Sequence, residues 1–147
     1  MNINFLLTEC TFLRYYMPLI EEANKRGVSS TVFVGRSGKY NCPQLKHNMD
    51  TILSLSQSHG FSIKNIDESS SVSEEIFFTI EGCGLFARNL KQNNKVYSMT
   101  YMTDYTASFD SYIDLVDHVI FPSFKFADHY GKISDKNLYL GSPKYCT

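Results

Sequence analysis

The stretch Lys95-Val96-Tyr97-Ser98-Met99-Thr100-Tyr101-Met102-Thr103-Asp104 alternates charged or small polar residues with bulky ones and ends on a carboxylate. A two-residue period of this kind reads as a buried central strand, and the closing small polar residues and acid read as the loop after it. In the middle of a parallel sheet, such a strand would hold Tyr101 to Asp104 at its carboxyl end, where open α/β sheets receive ligands. The flanking sequence fits that arrangement.

On the amino-terminal side, residues 2–7 form a short apolar run that breaks into Thr8-Glu9-Cys10-Thr11, as a first parallel strand opens into a loop. The loop is predicted to reach about Tyr15, because Pro18 belongs in the first turn of the next helix, where its missing N–H does no harm. That helix shows Tyr16, Leu19, Ile20 and Ala23 at i, i+3, i+4, i+7 spacing, with Gly27 as its stop. A second strand over 29–34 ends at Gly35-Arg36-Ser37-Gly38. Pro43 then opens a second helix whose inner face is Leu45, Met49, Ile52, Leu53 and Ser56, closed by His59-Gly60.

A third strand is predicted over 61–66, followed by an acidic, serine-rich surface loop over 67–73 and an unbroken apolar strand over 76–80. Glu81-Gly82-Cys83-Gly84 turns the chain into a third helix with Leu85, Phe86 and Leu90 inward. Beyond the opening stretch come a short helical piece around 111–116 and a strand over 118–121. Pro122-Ser123 breaks that strand and caps a helix bearing Phe126, Ala127 and Tyr130, which stops at Gly131; a last strand covers 138–140. Strands alternating with helices through short loops predict an α/β fold. The expected architecture is one Rossmann-like three-layer domain over residues 1–147, with a mostly parallel sheet of six or seven strands.

Composition narrows the function classes. The 147 residues suit one domain, and 43% hydrophobic with 20% charged residues is a globular balance. A net charge of -1 supplies no basic footprint for nucleic acid. The first seven residues lack a basic flank and a small-residue cleavage site, so neither a signal peptide nor a membrane span is expected and the expected location is cytoplasmic. Cys10, Cys42, Cys83 and Cys146 form no C-x-x-C pair, and His47, His59, His118 and His129 show no metal-ligand spacing. Reduced thiols and no metal are expected.

Each loop after a parallel strand should lie on one rim: Thr8 to Arg14, Glu81 to Gly84, Tyr101 to Thr106, Pro122-Ser123 and Gly141 to Lys144. Glu9 and Asp104 are the candidate general bases, since a carboxylate desolvated in a crevice has its pKa raised toward neutrality. The competing reading of each is a helix cap or a solvent-facing loop acid. Arg14 carries a fork of donors suited to an anion, or equally to an ion pair with Glu81. Gly82 and Gly84 would let backbone amides approach a ligand at a helix start, and a tight turn explains them as well. Thr8, Tyr101, Thr103 and Ser123 complete the candidate binding set. Tyr97, Tyr101, Tyr105 and Tyr112 offer a sugar-stacking wall, or ordinary core aromatics. Gly35-Arg36-Ser37-Gly38-Lys39 is not a P-loop: the glycine spacing is short and Tyr40 stands where Ser or Thr is required. No G-x-S-x-G elbow is present.

Taken together, Phe5-Leu6-Leu7-Thr8-Glu9, Pro18 through Lys25-Arg26-Gly27, Phe78-Thr79-Ile80-Glu81-Gly82, Tyr101-Met102-Thr103-Asp104, Asp117 through Pro122-Ser123 and Tyr139-Leu140-Gly141-Ser142-Pro143-Lys144-Tyr145 span nearly the whole chain. In this order they resemble the amino-terminal, acceptor-side domain of GT-B-fold glycosyltransferases and the related CDP-glycerol glycerophosphotransferases. Sugar-nucleotide 2-epimerases share the architecture. The resemblance implies a domain that binds the acceptor and supplies the base, facing a second Rossmann-like domain that holds the nucleotide-sugar donor. That donor domain is expected to be absent here, so no cofactor is expected for this chain alone. Glu9 and Asp104 correspond to acceptor-side residues by position only. Three expectations follow: a truncated transferase inactive alone, a half that works with a separate donor-binding partner chain, or a domain reused for non-catalytic interaction or structure. A lone half would expose an apolar cleft face, so association with a partner or as a homo-oligomer is expected. A small flavodoxin-like nucleotide or flavin binder is a further reading, disfavoured by the missing phosphate loop.

Overall fold

The computed structural model describes residues 1–35, 43–81, 90–100, 109–110 and 112–141, with backbone alone for 43–47. In chain order its main elements are β1 (Asn2–Leu7), α1 (Leu13–Lys25), β2 (Ser29–Val34), α2 (Pro43–His59), β3 (Ser62–Asn65), β4 (Ile76–Ile80), β5 (Lys95–Met99), β6 (His118–Phe121), α3 (Phe124–His129) and β7 (Asn137–Tyr139). The seven strands form one sheet in the order β3-β2-β1-β4-β5-β6-β7. Every pairing is parallel. The α/β, Rossmann-like class expected from the alternation of strands and helices is what the chain adopts.

The sheet is wound outward in two directions from β1 and β4. Its centre is therefore β4 and not β5, which corrects the position expected for the 95–104 stretch. The cause is long-range: after β3 the chain crosses back to pair β4 with β1, leaving three strands on each side of β4.

Strand alternation sends successive side chains to opposite faces. On one face Phe5, Leu7, Val32, Val34, Ile80 and Met99 pack with Leu13, Tyr16 and Ile20 of α1 and Ile52 of α2. On the other, Leu6, Phe33, Phe77, Val96 and Phe121 pack with Leu90, Tyr112 and Ala127. The first face carries a ladder of rings in register across four strands. Phe5 stacks on Phe78 at 5.5 Å, Phe78 on Tyr97 at 5.5 Å, and Tyr97 on His118 at 5.1 Å.

Several local expectations give way to packing. A 3₁₀ turn over Cys10–Phe12 leads into α1, which begins at Leu13, so Pro18 lies inside the helix and not in its first turn. The proline has no N–H to contribute to the helical ladder. Burial of Leu13, Tyr15 and Tyr16 holds the helix regardless, and the Tyr16 hydroxyl donates to the Leu6 carbonyl at 2.7 Å. On α2, Ile52 is buried while Leu53 is 46% exposed, and Met49 and Leu55 pack beside Ile52 in its place. The loop expected over 67–73 is largely a 3₁₀ helix, Ile66–Ser71, with Ile66 and Ser69 buried. Asn65 caps it, accepting from the Asp67 N–H at 3.0 Å, while Glu68 accepts from the Asn65 N–H at 2.8 Å. The helical piece expected around 111–116 ends in a 3₁₀ turn, Ile113–Leu115. Of the helix expected after Gly84, only Leu90, buried in the turn Leu90–Gln92, is within the described residues.

A polar network missed from sequence ties the amino ends of β1, β2 and β4. Fully buried Asn4 donates from Nδ2 to the Glu75 carboxylate at 2.6 Å and to the Ile76 carbonyl at 3.1 Å. Asn2 donates to Asn4 Oδ1 at 2.7 Å and to Thr31 Oγ1 at 3.1 Å. The three of these bonds that leave β1 pin strand register where the apolar pattern is weakest.

The helix stops match the sequence reading: Gly27 follows α1 at φ +69 and Gly60 follows α2 at φ +69. A Cβ at Gly27 would meet nothing within 4 Å. Gly27→Ala therefore isolates backbone strain, and urea unfolding should show a loss of about 1 kcal/mol with an unchanged m value. A loss below a few tenths would mean that α1 ends without needing the left-handed turn.

Candidate binding edge between β1 and β4

Because all seven strands are parallel, their carboxyl ends share one edge, and the order reverses between β1 and β4. That reversal is where open α/β sheets form a ligand crevice. Phe5 pairs with Phe78. Three residues further on, Thr8 and Glu81 step off the ends of these neighbouring strands together. Thr8 and Glu81 are half-buried, and Glu9 is exposed. Glu81 has φ 34, in the left-handed region that side-chain-bearing residues avoid.

Beneath this edge, Thr79 and Ser98 face each other in register across β4 and β5. Both are fully buried, and among the described residues neither hydroxyl oxygen has a hydrogen-bond partner. Their proximity to the strand ends was not legible in a sequence that shows two isolated small polar residues.

The other expected site residues divide. Ser123, at the end of β6, is exposed and its hydroxyl oxygen accepts from the Phe126 N–H at 3.2 Å as the N-cap of α3. Ser123→Ala should destabilise the domain by about 1 kcal/mol through loss of that cap. An unchanged melting temperature would show that α3 is held by Ala127 alone. Arg14 is exposed in the first turn of α1 and lines a small cleft against α2 with Cys10, Met17, Thr51 and Leu55. Its guanidinium carbon lies 5.4 Å from the Tyr15 ring centroid. Asp104, Gly82, Gly84, Tyr101 and Thr103 lie outside the described residues. Of the tyrosines suggested as a stacking wall, Tyr112 is fully buried and Tyr97 belongs to the ring ladder.

A second concavity, unforeseen from sequence, lies between α1 and the sheet. Its volume is about 470 Å³, with Leu19, Phe78, Met99 and Ile120 as apolar lining and Glu22 and Lys25 at the rim. Arg26 bonds to Glu22 at 2.8 Å and holds that carboxyl below its ordinary pKa, first through the hydrogen bond and then through its charge. The cleft collects residues from one helix and three strands, so no local pattern announces it.

Among the described residues, no group of three or more His, Cys, Asp or Glu could hold a metal ion, and no helix is long and apolar enough to cross a membrane. The chain matches no protein-family model and no curated protein sequence.

Proposed function

We propose that this domain is the acceptor-binding half of a GT-B-like glycosyltransferase, dependent on a separate nucleotide-sugar-binding half. What supports the reading is the strand order with its single reversal between β1 and β4, where Thr8, Glu9 and Glu81 leave adjacent strands. The order of sequence motifs that resembles such domains supports it as well. In this reading Glu9 and Asp104 are the candidates to take the proton from an acceptor hydroxyl as its oxygen attacks the anomeric carbon, while the nucleotide leaves with the donor half. Thr8, Glu81 and the Gly82 to Gly84 and Tyr101 to Thr103 segments orient the acceptor. Arg14 and Ser123 stand at its margins. The chain needs no cofactor of its own, and its proposed location is cytoplasmic.

A second reading, a non-catalytic interaction domain, is favoured by the apolar cleft beside α1 and by Leu140, 69% exposed at its border. Reading the coding sequence after Thr147 and the adjacent gene separates the two. A second Rossmann-like half there, with sugar transfer from a UDP-sugar only when both halves are present, supports the transferase. A stable homodimer with no donor half found supports the interaction domain.

A further inference from the structure

The two outer strands of the sheet differ in what they present. β3 carries Lys64, the kind of charge that keeps a sheet edge from pairing with another chain. β7, at the opposite end, reads Asn137-Leu138-Tyr139 and runs on through Leu140 and Gly141 with no charged residue. The Leu140 N–H donates to the Phe121 carbonyl at 3.2 Å, and the Lys136 carbonyl accepts from the Val119 N–H at 3.0 Å. Lys136 and Leu140 therefore turn their backbone toward β6, and alternation turns that of Tyr139 away from it. Apolar surface gathers at the same edge. Among the described residues the large apolar side chains that stand exposed are Met1, Leu53, Phe124, Ile133, Tyr139 and Leu140, and the last four belong to α3, β7 and their connection. Phe124 and Tyr139 meet edge to face at 5.6 Å between ring centroids, which places α3 over β7 as well as over β6, against which Ala127 is buried.

We propose that β7 is a dimerisation edge, pairing antiparallel with β7 of a second copy of this chain about a two-fold axis at Tyr139. With the axis there, the two Tyr139 residues exchange both backbone hydrogen bonds. Leu138 of each copy falls beside Leu140 of the other, on the sheet face opposite Tyr139, and no like charges meet in the joint. An axis that joins two strands in this way stands perpendicular to the sheet, so both α3 helices lie on one face and run antiparallel. Each sits over its own β6 and β7, and strand spacing then sets the two helix axes about 10 Å apart, a distance at which helices pack. Asp128 stands one turn beyond Phe124 on the same side of α3, with Lys125 beside it, and both are exposed. Antiparallel helices bring Lys125 of one copy toward Asp128 of the other, so the charges flanking the joint complement their own copies. β7 lies three strands from β4, so the dimer is independent of what the β1/β4 crevice binds.

The test is sedimentation equilibrium of the full 147-residue chain with a thiol reductant present, at about 5 to 500 µM, the range suited to a short joint. Wild type should show a monomer–dimer equilibrium. Leu140→Lys, at a side chain 69% exposed, should weaken it at least about tenfold, whereas Leu53→Lys, 46% exposed on α2, should leave it unchanged. Lys125→Glu and Asp128→Lys should each weaken it about threefold or more by setting like charges against each other. Mixed in equal amounts, those two variants should recover a dimer of near wild-type affinity, because the reversed charges then face each other across the joint. A wild type that stays monomeric at every concentration overturns the proposal and leaves the β7 edge to a different chain. A dimer that Leu140→Lys leaves intact, or that Leu53→Lys weakens as much, overturns the β7 edge as the contact. A mixture that associates no better than either charge variant alone overturns the antiparallel arrangement of the α3 helices. Growth of wild type beyond the dimer overturns the closed two-fold pairing. None of these outcomes bears on the acceptor-binding reading.

Discussion

Phe5→Ala should lower the unfolding free energy by about 3–5 kcal/mol, the range for removing a fully buried ring from a packed core. Phe5 is fully buried on the central part of the sheet, with Tyr16 of α1 at 4.9 Å and Phe78 of β4 at 5.5 Å between ring centroids. Its loss opens a void under α1 at the same height as the Tyr16 hydroxyl bond to Leu6, so helix and sheet loosen together. Phe78→Ala is the internal comparison. That ring is only partly buried and borders the open cleft, where solvent can fill the space, so its loss should cost about half as much. Urea unfolding of the two variants decides the matter. Equal losses would mean that the cleft is closed in solution.

Asn4→Leu should cost about 2–4 kcal/mol, through hydrogen bonds lost at both ends rather than through volume. The change removes the donor to Glu75 and to the Ile76 carbonyl and the acceptor for Asn2, leaving a carboxylate beside an apolar side chain. The double variant Asn4→Leu/Glu75→Leu removes both ends of the bond, so it should recover part of the loss. A double variant whose loss equals the sum of the two single losses would show that Asn4 and Glu75 act independently, against the network described above.

Much of the fold was legible because it is written locally. The unbroken run at 76–80 is β4 to the residue, and the glycines at 27, 60 and 131 each take the left-handed turn that ends a helix. Ser123 caps α3 as its place after Pro122 suggests. Illegible features were those fixed across the sheet. β5 reads as central because it is apolar and alternating, but the order of strands is a pairing property that no single stretch records. Pro18 sits inside α1 because three buried side chains before it outweigh one missing donor, and Leu53 faces water because α2 turns Met49, Ile52 and Leu55 inward. Asn2 and Asn4 look like a weak polar start to a strand until Glu75, seventy residues on, arrives beside them.

The candidate edge was legible in the same partial way. Position after a strand was enough to nominate Thr8, Glu9 and Glu81, since every parallel strand ends on that side. What set Glu81 apart from Glu9 was a backbone angle and a degree of burial, neither of which has a sequence signature. The cleft beside α1 needed Leu19, Phe78, Met99 and Ile120 to meet from four elements.

The most direct test of the account is a paired titration of the wild-type chain with methyl α-glucoside and with UDP-glucose, followed by amide chemical shifts. An acceptor-side half predicts that both sugars act alike, with shifts at Thr8, Glu9 and Glu81 and no gain in affinity from the nucleotide. A UDP-glucose affinity tenfold or more above that of the glucoside, with uridine-dependent shifts at those amides, would make this chain a nucleotide binder and contradict the account.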